Sequence, residues 1–426
     1  NYLLKHAASD NYLLTVADLS QELAVQKTGN HPHSVAMALD INNDEYRRKI
    51  IEASDIVISL LPPALHIVAA GDCVSLKKPM VTASYISPAI EALNESAVNN
   101  GVLLLNECGL DPGIDHMSAM EIFHRLLENG AELTSFKSYT GGLIAPEYVD
   151  NLWGYKFTWN PKNVILAGQG TAKYIENGRY HYIPYNRLFR QLETIEIENA
   201  GKFEGYANRD SLAYRKHYKI DHIPTLLRGT LRHEGFCKAW DAFVQLGLTD
   251  DNCIIENSET LSYKELVQSF LPSDTKSNSV EQSMSDFLHC EIDSKEMLML
   301  KSTGIFDDKK TGLKNATAAM ILQHLLEQKW VLKKDDKDMI VMVHLVDYLQ
   351  SGKAHRLTSS LVVKGNDQVQ TAMAKTVGYP LGIVARLLLK GKISLTGVHL
   401  PTHKDIYIPV LRELDSMGIT FSEKTI

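Results

Sequence analysis

Short apolar runs recur through the first 105 residues at the pitch of a parallel sheet. Residues 12–17 (YLLTVA), 34–39 (SVAMAL), 55–61 (DIVISLL) and 80–83 (MVTA) read as strands, and 102–105 (VLLL) is apolar throughout, as a strand covered on two sides is. Helix-period stretches separate them, at 44–53, 65–76 and 88–99, and residues 1–8 read as the end of a further helix. Strand alternating with helix at this spacing predicts an α/β, doubly wound parallel sheet. After residue 105 the chain turns through Gly109, Pro112 and Gly113, and Asp115 and His116 open a helix over 117–127. Beyond Glu128 the pattern changes. Residues 134–140 alternate as a strand that Gly141-Gly142 breaks, and further strand-like runs reach residue 232. From 235 to 329 the signals are helical, at 237–248, 263–270 and 296–300, with a Ser- and Asn-rich exposed loop at 272–279. Two strands at 339–348 and 354–363 return to a mixed sheet, and 371–389 is a long helix containing Gly378 and Pro380. No internal repeat is visible.

A chain of 426 residues is long enough for two or three domains, and 44% hydrophobic with 22% charged residues builds ordinary cores. The net charge of −7, without a basic stripe, argues against nucleic acid as a partner. Cysteines 73, 108, 237, 253 and 290 lack CxxC spacing, which argues against a disulfide framework or a zinc site and for a reducing, cytoplasmic setting. No run approaches the roughly 18 apolar residues of a membrane span, so no membrane partner is expected.

In an open α/β sheet, ligands lie outside the carboxyl ends of the strands, near helix N-termini. The loop NECGLDPGIDHM (106–117) follows such a strand, and presents the Asp111 carboxylate and free backbone N–H groups there. The plainer alternative is a well-capped turn with Asp115 as N-cap. Asp18 ends the first apolar run. In dinucleotide-binding βαβ units an acidic residue about 20 positions after the Gly-rich loop bonds the ribose hydroxyls. Counting back places that loop before residue 1, so the expectation is a Rossmann-like sheet whose first strand is missing, the chain beginning inside the first βα unit. Otherwise Asp18 caps a surface turn. A carboxylate at that place accepts from a 2′-hydroxyl and repels a 2′-phosphate, which favours NAD over NADP.

The loop NECGLDPGIDHMSAM resembles a segment of the saccharopine dehydrogenases of the L-glutamate-forming type. SLLPPALH (59–66), VTASYISPAI (81–90), SYTGGLIAPE (138–147), GYKFTW (154–159), NRDS (208–211) and RGTLRHEGF (228–236) match the same family in the same order. The resemblance covers nearly the whole chain and is looser over 240–300. It implies a dinucleotide-binding domain at 1–112 with 370–426, an α+β substrate and dimerisation domain at 113–235 with 330–369, and a helical domain at 236–329. A homodimer is compatible with it. It implies oxidation of saccharopine, with water, to glutamate and 2-aminoadipate 6-semialdehyde. It also implies cofactor contacts at Asp18, Asp40, Ile41, Leu61, Ala83, Leu110, Asp111, Pro112 and Asn160. Substrate contacts are implied at Ser84, Tyr85, Asp111, Arg209, Thr230, Leu231 and Arg232, with Asp111 and Tyr85 catalytic. The family's NADP-using fungal members carry Cys-Arg where this chain has Asp18-Leu19, a second reason to expect NAD. Their SYCGG cysteine is Thr140 here, which removes any obligatory thiol.

Saccharopine carries three carboxylates and a secondary amine, so its site needs anion clamps and a proton acceptor. Arg209 and Arg232 are the natural clamps, because a guanidinium meets a carboxylate with two parallel bonds; Arg228 reads as a structural neighbour. Among Asp111, Tyr85, His116 and Lys156 the residue types leave the acid–base role open, and His116, just after the helix start, suits backbone bonding or packing. Two other readings stay in view: a carboxynorspermidine dehydrogenase, whose substrate has fewer carboxylates, and a non-catalytic dinucleotide-fold scaffold.

Overall fold

The computed structural model describes residues 1–272 and 279–426. The chain forms two compact units, residues 1–129 with 374–420 and residues 130–373 with 421–426. Of the loop expected at 272–279, residues 273–278 lie outside the described residues.

The first unit is built on short parallel strands, among the described residues β1 (Leu14–Asp18) with β2 (Ser34–Ala38), and β3 (Val57–Ile58), β4 (Met80–Val81), β5 (Leu103–Leu105) and Gly397–His399 in a second group. β5 lies between β4 and Gly397–His399, and all three of its leucines are buried, as its unbroken apolar run requires. The run at 55–61 keeps only two residues of strand; Ser59 N–H still bonds Val81 C=O at 2.9 Å, but Leu60 is 77% exposed and Pro63–Leu65 turns into a 3₁₀ segment. The helix expected at 88–99 divides into Pro88–Glu91 and Asn94–Asn100. The long helix Ala372–Leu389 is apolar enough to cross a membrane by length and composition, which the count of apolar runs missed. Its Arg386 bonds Asp10 and Glu413, each at 2.7 Å, and the ring of Tyr2 fills the space beside Gly382.

The second unit holds a mixed sheet. Its strands are β6 (Glu132–Ile144), β7 (Ala172–Glu176), β8 (Arg179–Ile183), β9 (Glu193–Ile197), β10 (Gly201–Ala207), β11 (Thr225–His233), β12 (Asp338–Gln350) and β13 (Lys353–Lys364). The order is Ser422–Thr425, β13, β12, β6, β11, β10, β9, with β7 beside β11 and β8 beside β7. β6 runs straight through Gly141-Gly142, where a break was expected. A Cβ on Gly141 would stand 2.9 Å from Leu231 Cβ, and one on Gly142 would stand 2.7 Å from Met373 Cε. These glycines admit close neighbours; they do not stop the strand. Gly205 and Gly229 make room in the same way for Tyr139, whose hydroxyl donates to Glu193 at 2.6 Å. A Cβ at Gly229 would lie 2.4 Å from that buried ring. Gly229→Ala is expected to cost about 1–3 kcal/mol by overpacking, seen as a lower midpoint in thermal unfolding.

The helical stretch packs into the core of this unit. Trp153 stacks on Phe243 (5.7 Å, 4°) and meets Phe236 and Trp240 edge-on, while Trp330 closes the group. Helix Tyr263–Phe270 starts on a reciprocal cap between Ser262 and Glu265.

Candidate functional site

In the first unit, the loop after β5 is folded on itself. Gly109 N–H bonds Pro112 C=O (3.0 Å), Ile114 N–H bonds Gly109 C=O (2.9 Å) and Asp115 N–H bonds Leu110 C=O (3.1 Å). Gly113 sits at φ 148° with its Cα so close that a Cβ would fall 2.0 Å from Gly109 O. Two expectations are corrected here. The N–H groups of Gly109, Gly113, Ile114 and Asp115, thought free for a ligand, are spent within the loop. Asp115 is not the N-cap; helix Ile114–Glu128 begins earlier, capped at Gly113, and Asp115 Oδ1 accepts the Gly113 N–H at 2.6 Å from inside the first turn.

The loop still brings candidate residues together. Tyr85 donates its hydroxyl to Asp111 Oδ1 at 3.0 Å. The residue that holds these two segments is one the sequence reading passed over. Glu107, fully buried, accepts from Ile86 N–H at 2.9 Å through Oε1 and meets His116 Nε2 at 2.7 Å through Oε2; its own N–H bonds Ser84 C=O at 3.1 Å. Its φ of 60° marks a backbone bent against its preference. The signal available was an acidic residue directly after a leucine run. His116, with no exposed surface, belongs to this buried pair; where backbone bonding or packing was expected, its Nε2 meets a carboxylate side chain. Ser84 is half-buried, and its Oγ lies 2.8 Å from His66 Nε2, whose Nδ1 lies 2.7 Å from Ser59 Oγ. Burial holds the His66 imidazole below its usual pKa.

The remaining first-unit candidates sit at strand ends. Asp18 Oδ1 accepts from Ser20 N–H at 2.9 Å, and Asp40 Oδ1 accepts from Asn42 N–H at 2.9 Å. Ile41, Leu61 and Ala83 are partly exposed, and Leu110 and Pro112 are buried. The Cys73 thiol is pushed up to about 12, and that of Cys108 is raised further, both by burial first, so neither supplies a thiolate.

In the second unit, Arg232 is 5% exposed on β11. Its guanidinium carbon lies 5.4 Å from the ring centres of Tyr155 and Phe236 and 5.9 Å from that of Tyr206. Its Nη1 donates to Leu231 C=O at 3.0 Å, and its buried Nε has no hydrogen-bond partner among the described residues. Glu204 is its register partner on β10, but that carboxylate is taken by the N-terminus of helix Phe236–Leu246, accepting from Gly235 N–H (2.7 Å) and Cys237 N–H (2.9 Å). Among the described residues no carboxylate reaches Arg232 at ion-pair distance. Thr140 pairs with Thr230, two residues before Arg232, so the three share one face of the sheet; the Thr140 hydroxyl is buried and also lacks a partner among the described residues. Arg209 is exposed with a left-handed backbone (φ 51°). Leu231 packs its side chain into the core against Gly141. Arg228 is buried over the Tyr214 ring at 4.2 Å. Asn160 caps helix Pro161–Ile165 through its side chain. Lys156 is 1% exposed and held by Asp336 (2.6 Å) and Asp150 (2.9 Å), a structural triad rather than a base.

Comparison with known proteins follows this geometry closely. The profile of the Saccharopine dehydrogenase C-terminal domain matches residues 109–419, and that of the Saccharopine dehydrogenase NADP binding domain matches residues 1–105. The chain is 34% identical to saccharopine dehydrogenase [NADP(+), L-glutamate-forming] of Saccharomyces cerevisiae, over 99% of this chain and 95% of that protein. It is 36% identical to the mitochondrial alpha-aminoadipic semialdehyde synthase of Rattus norvegicus over 89% of this chain, but spans only 41% of that relative's length. The apo saccharopine dehydrogenase (L-Glu forming) structure from Saccharomyces cerevisiae superposes with a TM-score of 0.89 at 32% identity, covering 99% of this chain and 96% of that one. The expected preference for NAD is overturned by these matches: the residues around Asp18 match the Saccharopine dehydrogenase NADP binding domain, and the relatives matched over nearly their full length are named for NADP(+). The physical reason is in the turn. The Asp18 carboxylate caps the chain's entry into helix Gln21–Thr28 through Ser20 N–H, so its presence does not report on a ribose hydroxyl.

Proposed function

Because the chain belongs to the saccharopine dehydrogenase family, we propose that it oxidises L-saccharopine with NADP⁺ and water to L-glutamate and 2-aminoadipate 6-semialdehyde. The observation that carries the reading is Arg232, a buried guanidinium with no carboxylate at ion-pair distance among the described residues. A charge is kept in such a place when a ligand supplies the counter-ion, and the substrate has three carboxylates to offer. Arg209 and Thr230 are the further clamps.

The parallel sheet suits a dinucleotide, with exposed turns at the ends of β1 and β2. Asp40 and Ile41 line its adenine end. Ser20 and the first-turn N–H groups of helix Gln21–Thr28 are the donors for a 2′-phosphate. Bound NADP⁺ supplies the hydride acceptor. The chain's own residues manage the proton and the water. Asp111, oriented by the Tyr85 hydroxyl, accepts the proton of the secondary amine as the carbon–nitrogen bond becomes an imine. The same pair then positions water to attack that carbon, which releases the glutamate amine and leaves the aldehyde.

Incubating the full-length protein with saccharopine and NADP⁺ tests the reading, with NADPH and glutamate expected in equal amounts. A folded protein that forms neither overturns it. Tyr85→Phe removes the donor to Asp111. The expected loss in kcat/KM is about 10- to 100-fold with an unchanged melting temperature; kinetics equal to the parent would free Tyr85 of any role.

A further inference from the structure

We propose that His66 is a positioning residue that holds the Ser84 hydroxyl as a hydrogen-bond donor toward a substrate carboxylate. This rests on Ser84 as a substrate contact in the function proposed above. The line Ser59 Oγ, His66 Nδ1, His66 Nε2, Ser84 Oγ is closed at both ends, at 2.7 and 2.8 Å. Its inner members are 3% and 1% exposed, whereas Ser84 is half-buried at the turn that also carries Tyr85.

The direction of the line follows from hydrogen counting. A neutral imidazole has one N–H and one acceptor nitrogen. The buried Ser59 hydroxyl has no hydrogen-bond partner besides His66 among the described residues. If His66 carried its proton on Nδ1, the Ser59 hydrogen would be buried without an acceptor, which folded proteins avoid. Ser59 therefore donates to Nδ1, the proton sits on Nε2, and Nε2–H donates to Ser84 Oγ. With a lone pair occupied, the Ser84 hydroxyl turns its hydrogen outward. The Ser84 N–H is engaged by Thr82 Oγ1 (3.2 Å) and its C=O by Glu107 N–H (3.1 Å), so the hydroxyl is the group left to meet a ligand. Opening outward as a donor, it suits an anionic oxygen and disfavours an amine. The sequence segment SLLPPALH contains both inner members, which explains why that stretch keeps Ser59 and His66 seven residues apart across a proline turn.

Two measurements test it. In protein labelled with ¹⁵N-histidine, long-range ¹H–¹⁵N correlation at neutral pH should give the signal lost in His66→Gln as the Nε2–H tautomer. An Nδ1–H tautomer or an imidazolium overturns the proposal, whatever the enzyme's activity. In kinetics, His66→Leu should raise the KM for saccharopine by about 10- to 100-fold, the worth of one bond to a charged group, with the KM for NADP⁺ unchanged. His66→Gln, whose amide can still donate to Ser84, should recover most of it. In a Ser84→Ala background, His66→Leu should add little, because both changes remove the same bond. Independent, multiplying losses overturn the proposal, as does a rise in the KM for NADP⁺ instead. So does Gln failing as badly as Leu in step with a lowered melting temperature. Absence of saccharopine turnover in the parent would refute the function proposed above, while the tautomer would still decide the state of Ser84.

Discussion

Arg232→Met should make the protein more stable and leave it nearly unable to turn over saccharopine. The two effects have one cause. Taking a guanidinium out of water costs several kcal/mol, and only a well-placed carboxylate with further hydrogen bonds offsets that. Arg232 has one bond, to Leu231 C=O, and three aromatic rings at more than 5 Å. The rings return up to about 2 kcal/mol when desolvated. Glu204 is opposite in register yet bonded elsewhere. Methionine fills a similar volume and suits the aromatic wall. Replacing buried charge by such a side chain is neutral or stabilising by about 1–4 kcal/mol, so the melting temperature should rise or hold. The substrate carboxylate, deprived of its partner, should lose about 2–5 kcal/mol of transition-state binding, a fall in kcat/KM of at least some thirtyfold. Affinity for NADP⁺ should not move. Arg232→Lys should rescue little, since an ammonium cannot form the paired bonds of the fork. A structural arginine predicts the opposite pair of results: a lowered melting temperature, with ordinary kinetics in the protein that stays folded.

What the sequence made legible, and what it hid, divides along physical lines. The centre of the parallel sheet was readable because β4 and β5 are buried, and continuous apolar runs such as Leu103–Leu105 have few other uses; β1, β2 and β3 are partly exposed, and the alternation of strand with helix is what predicted them. Strand β12 and strand β13 were readable by their length. The β6 strand was misread at Gly141-Gly142 because glycine marks both a break and a close approach, and only Leu231 and Met373 on neighbouring segments distinguish them. The NAD preference drawn from Asp18 failed for a related reason: a carboxylate at a strand end serves a ribose and a turn equally well, and the Ser20 N–H bonded to it is a backbone group, invisible in side-chain pattern. Tyr85 and Asp111 were named from resemblance, and their contact needed coordinates. Ser59, His66 and Glu107 were missed because each is polar within apolar surroundings, where spacing carries no period. Their partners lie seven or more residues away, on helices and in the turn after β4, so nothing local announces them.

Removing His116 should show how much of the first-unit site depends on one of those missed residues. His116→Ala removes the group that meets Oε2 of the fully buried Glu107 carboxylate, while the Ile86 N–H still donates to Oε1. Stranding one member of a buried pair costs about 3–5 kcal/mol, and the loss should appear as an earlier unfolding transition. Glu107→Gln is the contrasting variant. Its amide oxygen can still accept from Ile86 N–H and its NH₂ can donate to His116 Nε2, so both contacts survive and the cost should stay near about 1 kcal/mol. The functional consequence follows from where Glu107 is tied. Its backbone N–H bonds Ser84 C=O and its side chain bonds the Ile86 N–H, so it brackets Tyr85 from both sides while its own loop carries Asp111. When the Glu107 side chain relaxes toward a new partner, the two segments lose their common anchor and the 3.0 Å Tyr85–Asp111 bond loses its geometry. In His116→Ala the kcat/KM per folded molecule should therefore fall as far as in Tyr85→Phe. Circular dichroism melts with kinetics below the transition separate the two effects. An unchanged melting temperature with parental kinetics would mean that the buried pair is mere filling and that Tyr85 and Asp111 are held by something else.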